Sequence, residues 1–134
     1  MKKIILFLSL FLSTTIFNQV FAQEKNFVIS TEKPHQVGVI IETANTIAEE
    51  FENNLGEIQI VLYGPAVKKL EEEKTVETWL KNIKHEKIRF AVCDIAIEKT
   101  NTDKKYIPAE MQTVENAFVH ILRLKAKGYI GLEP

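Results

Sequence analysis

The sequence predicts an α/β protein: a single three-layer α/β/α domain built on a mainly parallel sheet of about five strands. Three observations predict it. Strand-like and helix-like patterns alternate along nearly the whole chain after residue 25, the order expected of parallel strands joined by crossover helices. The segment "EIQIVLYG" alternates and then becomes continuously apolar, as a strand covered on both faces must be. The chain left after a predicted leader, about 112 residues, has room for one hydrophobic core and no second domain.

The leader is read from the first residues. Lys2 and Lys3 precede an apolar and hydroxylic run from Ile4 to Phe17, and "NQVFAQ" places Val20 and Ala22 three and one positions before a cut. Residues 1-22 are therefore expected to be a signal peptide cleaved after Ala22, leaving a domain over residues 23-134 in the periplasm or secreted. A retained membrane anchor is the competing reading, but the run is shorter than the roughly 20 apolar residues that span a bilayer and no cysteine lies near the cut to accept a lipid, so no stable membrane insertion is expected once the leader is cut.

Each element of the predicted domain has its own signal. "NFVIST", Asn26 to Thr31, is β-branched and aromatic, which predicts a first strand. Pro34 suits a first helical turn, and Val37, Ile40, Ile41, Ala44, Ile47, Ala48 and Phe51 form an apolar stripe at spacings of three and four. Glu42, Glu49, Glu50 and Glu52 mark the opposite face, and Gly56 is expected to end this helix. The second strand, Glu57 to Gly64, is expected at the sheet centre. A short helical piece from Ala66 to Leu70 follows, then the charged run "EEEK".

Thr75 is the expected cap of the next helix, with Val76, Trp79, Leu80 and Ile83 on its apolar face. "KIRFAVC" gives a third strand, and "DIAIEK" begins a helix that dissolves into an accessible, mobile loop around Asn101 to Lys105. "MQTVEN" supplies a fourth strand. Asn116 can cap a last helix through Lys127, closed by Gly128, and "YIGL" is the fifth strand.

Charge and cysteine content exclude whole classes of function. The net charge of -1 falls to about -3 when Lys2 and Lys3 leave with the leader, and no basic face advertises nucleic acid. His35, His85 and His120 are scattered without ligand spacing, so no metal site is expected. There is no phosphate-cradling glycine loop and no serine nucleophile elbow, and no cofactor is expected. A single cysteine, Cys93, forbids an intrachain disulfide. A free thiol in an oxidising compartment needs either burial or a task.

Several of these segments, in this order, resemble the DsrE/DsrF-like family of small sulfur-relay proteins: "ETANTIAEEF", "IQIVLYGPAVKKL", "IRFAVCDIAI" and "ILRLKAKGYIGLEP". The resemblance covers most of Asn26 to Pro134. It implies that Cys93 holds the place at which sulfur-carrying members accept a persulfide sulfur and hand it on. It also implies a homo-oligomer, trimer or hexamer, working with a sulfur donor or acceptor protein whose identity the sequence does not give.

Cys93 is thus the candidate catalytic residue. It ends a predicted parallel strand and begins a helix, the place where open α/β sheets set their ligand sites and where a helix N-terminus favours thiolate. Asp94 beside it opposes that effect if its carboxylate points inward; in the first helical turn it can instead face out and satisfy helix amides. Core filling is the competing reading of Cys93, because free cysteine is among the most buried residue types. The functions left open are a sulfur carrier or sulfurtransferase-like protein, a noncatalytic oligomeric binding or scaffold module, and a thiol redox sensor. Two polar residues on helices complete the reading. Asn45, beside the core stripe, is either solvated, caps a neighbouring backbone or lines an oligomer surface, and His120 is either a satisfied half-buried histidine or a proton donor.

Overall fold

The computed structural model describes residues 22-134, so the predicted leader lies outside the described residues apart from Ala22. Five strands form one sheet in the order β4-β3-β2-β1-β5, and all four pairings are parallel. The strands are β1 (Lys25–Thr31), β2 (Leu55–Leu62), β3 (Ile88–Cys93), β4 (Gln112–Val114) and β5 (Ile130–Leu132). The helices are α1 (Val37–Glu50), α2 (Pro65–Lys68), α3 (Glu73–Asn82), α4 (Asp94–Lys99) and α5 (Ala117–Ala126).

The strand order sets the layers. From β1 through β4 each new strand is added on the same side, so right-handed crossovers place the connecting helices on one face. The last connection reverses direction and returns β5 beside β1, which carries α5 to the other face. Packing agrees with this: α1 contacts α3, β2 and β3, while α5 contacts β1, β2 and β3.

Side chains on each strand alternate between the two layers. Ile58, Ile60 and Leu62 of β2, register partners of Ile88, Phe90 and Val92 of β3, face α1 and are buried with Val37, Ile40, Ile41 and Ala44. Burial on both faces accounts for the continuous apolar run of β2, which lies at the sheet centre as expected.

Several local expectations change. Pro34–Gln36 forms a separate turn of 3₁₀ helix, and α1 itself begins at Val37. Gly56 does not end α1; it lies inside β2, against the side chain of Asn26, whose Oδ1 accepts the Glu57 N–H at 2.9 Å. Thr75 is not the cap of α3. Glu72 holds that position, and the Thr75 hydroxyl donates to its Oε2 at 3.1 Å.

The loop after α4 is tied down. Lys68 Nζ donates to the Asn101 carbonyl at 3.0 Å, the Asp103 N–H donates to Glu71 Oε1 at 3.2 Å, and Thr102 is buried. Asn116 caps α5 as its sequence predicts, and Gly128 closes it at φ 95°. Trp79 is buried in the core. Among the described residues no helix is long and apolar enough to cross a membrane.

Candidate functional site

Cys93 ends β3 and occupies the N-cap position of α4, with an extended backbone at φ -73° and ψ 118°. Alternation along β3 turns its side chain toward the α5 layer, because Cys93 and Ala91 share a face with Gln112 and Val114. The sulfur makes no capping bond to α4. It accepts instead the backbone N–H of Ala117, the first residue of α5, at 3.4 Å.

The first turn of α5 explains this contact. The opening amides of a helix have no partner within it and must find one outside. Asn116 Oδ1 accepts from Phe118 N at 3.0 Å and from Val119 N at 3.3 Å. The Ala117 amide is left for the sulfur. Partial positive charge at the start of this ten-residue helix is thereby directed at Cys93.

A cleft of about 360 Å³ opens over the sulfur at the C-terminal edge of the sheet. It is lined by Glu32 after β1, Tyr63 and Gly64 after β2, Cys93 at the end of β3, Ile95, Lys99 and Thr100 of the α4 region, and Phe118 of α5. Such an edge, where parallel strands end and connections diverge, is the usual ligand position in open α/β sheets. Phe118 packs edge-on against Tyr63 with centroids 5.1 Å apart. The Tyr63 hydroxyl donates to Glu133, and partial burial with that carboxylate raises the tyrosine well above its ordinary value of 10.0. Cys93 is only 6% exposed, so the cleft is its route to solvent.

Asp94 points away from the sulfur. It lines a separate cleft with Ile107, Pro108, Met111, Thr113 and Glu115, and its Oδ1 lies 2.9 Å from Lys104 Nζ. That contact is an ion pair without a well-directed hydrogen bond at Oδ1. The carboxylate holds Lys104 above the ordinary lysine value.

The remaining sequence-level residues divide between scaffold and surface. Asn45 is buried: its Nδ2 donates to the Asn82 carbonyl at 2.8 Å and its Oδ1 accepts the Lys84 N–H at 3.0 Å. The neighbouring-backbone alternative for Asn45 therefore replaces the solvated one. His120 lies in a polar chain, with Nε2 2.7 Å from Gln59 Oε1, while Gln59 Nε2 donates to Glu57 Oε1 at 2.8 Å. Its pKa is lowered, chiefly by burial. His35 is exposed, and His85 Nδ1 accepts the Lys87 N–H at 3.1 Å. Among the described residues no three potential ligands gather around a metal position.

Sequence reading missed the Ala117 amide, Glu32, Lys99 and the Tyr63–Phe118 wall. One signal was present. A helix capped at Asn116 directly after the strand that pairs with β3 must begin beside the end of β3.

No family model matches the chain, and no curated protein matches it. Among solved structures the chain is similar to a protein of unknown function from Methanobacterium thermoautotrophicum, at 19% identity and a TM-score of 0.63. The match covers 84% of this chain and 99% of that one. At this identity the likeness establishes a shared fold.

Proposed function

We propose that the protein is an exported sulfur carrier or sulfurtransferase-like protein in which Cys93 holds a sulfane sulfur as a persulfide. The observation that carries this reading is the Cys93 sulfur at the floor of a cleft, accepting the first amide of α5. An amide donor and a helix N-terminus both favour anionic sulfur, the form that attacks a sulfane sulfur.

After its proton leaves to solvent, the Cys93 thiolate attacks the outer sulfur of a donor persulfide. A new S–S bond forms at Cys93, the donor's S–S bond breaks, and the donor departs as thiolate. Transfer onward is the same step with an acceptor thiol attacking and Cys93 leaving. Electrons balance within each exchange, so neither oxidant nor cofactor is required. The donor and acceptor are proteins or small thiols that fit the cleft, and the working form is a homo-oligomer in the periplasm or outside the cell.

A noncatalytic binding module is the second reading, and the 6% exposure of Cys93 favours it. One experiment separates the two. Reduced native protein incubated with a low-molecular-weight persulfide is expected to gain the mass of one sulfur, lost on reduction and absent in Cys93→Ser. If Cys93 takes up sulfur or an alkylating agent only after unfolding, the carrier reading fails and the binding module stands.

A further inference from the structure

Helix α5 is apolar on both sides. At about 100° per residue, Ala117, His120, Ile121 and Leu124 face the sheet, where Ala117 and Leu124 are buried. The opposite side carries Phe118, Val119, Leu122 and Ala126, and the first three are 60%, 40% and 66% exposed. A surface helix of a lone domain keeps that side polar; one that is apolar all round is covered on both sides.

Charge around the helix is polarised. Arg123, Lys125 and Lys127 crowd its C-terminal end, and no acidic residue occurs from Asn116 to Gly128. Its N-terminal end adjoins Glu115 and Glu32, both exposed, and Glu32 lines the same cleft as Phe118.

We propose that α5 pairs with α5 of a second copy of this chain, antiparallel about a twofold axis near Leu122. A twofold interface requires one patch to complement itself. This patch does so. Leu122 meets the second copy's Leu122, bulky Phe118 lies opposite the second copy's small Ala126, and each basic end crosses the other copy's Glu32 and Glu115. A parallel pairing would bring the two basic ends together.

Phe118 belongs both to this face and to the Cys93 cleft. The second copy's Lys125 and Lys127 therefore arrive at the cleft mouth, where their charge stabilises anionic sulfur. That consequence rests on the carrier reading; the pairing does not.

The test is made in a Cys93→Ser background, so it is blind to sulfur chemistry. Leu122→Cys is expected to oxidise to a covalent dimer, and Val39→Cys, at a residue 64% exposed on α1, is not. Light scattering is expected to give an even-numbered assembly whose mass halves in Leu122→Asp while the circular dichroism spectrum stays that of the parent. A strict monomer, a trimer indifferent to Leu122→Asp, or equal cross-linking at Val39→Cys overturns the pairing.

Discussion

Cys93 and Asp94 are neighbours in sequence and line different clefts, Cys93 as the last residue of β3 and Asp94 as the first of α4. The thiol meets the Ala117 amide, whereas the carboxylate meets the Lys104 ammonium. Of the two directions the sequence leaves open for Asp94, the side chain takes the one away from the thiol. Asp94→Asn is expected to leave the alkylation rate of native Cys93 within about twofold of the parent at neutral pH, since the carboxylate lines the other cleft and is paired with Lys104. Stopped alkylation followed by mass spectrometry measures it. A rate rise of about tenfold on removing the carboxylate, the size of a one-unit shift, would mean that Asp94 acts on the sulfur after all.

Whole elements were more legible than their ends or their polar contacts. β2 and β3 announce themselves because burial on both faces demands unbroken apolar runs, and α1 does so because its stripe repeats at helical spacing. Helix starts depend on single hydrogen bonds, so Thr75 was a plausible cap that lost to Glu72 one turn earlier, while Asn116 proved to be one. Gly56 shows a similar ambiguity, since a glycine that ends a helix and one that admits a neighbouring side chain look alike in sequence. Contacts between distant elements are the hardest to read. Asn45 looked like a surface residue and is instead the tie between α1 and the end of α3, bonded to Asn82 and Lys84. Asn45→Ala leaves a carbonyl and an amide without their partner, and is expected to cost roughly 2 kcal/mol. The urea-unfolding midpoint reports it; a midpoint equal to the parent's would show that water replaces both bonds.

Across the molecule, one polar chain joins three elements on the α5 side of the sheet. Tyr129, just before β5, donates its hydroxyl to Glu57 of β2; Gln59 of β2 donates to the same carboxylate oxygen and faces His120 of α5. With the Gln59 amide oriented by Glu57, its Oε1 receives the Nε2 proton of His120. Burial lowers His120 below its ordinary 6.5, with Glu57 opposing and Arg123 and Lys127 assisting. Burial and the Glu57 bond push Tyr129 up to about 12. The signs follow by linkage. A base with a depressed folded pKa stabilises the fold fully above 6.5 and loses that contribution as pH falls toward its folded value. A tyrosine with a raised pKa stabilises fully below 10.0 and loses that contribution as pH rises toward about 12. Stability from this chain is therefore flat between these limits and declines on both sides. The acid limb can be isolated, because Glu71 and Glu72, lowered by bonds to Lys68 and Lys69, begin to lose stability only near their ordinary 4.5. Between 4.5 and 6.5, His120→Gln is expected to flatten the dependence of the urea midpoint on pH, and Tyr129→Phe to lessen only the decline above 10.0, to which Tyr63 also contributes. If both variants keep the parent's full profile, the chain from Tyr129 through β2 to α5 does not couple protonation to folding.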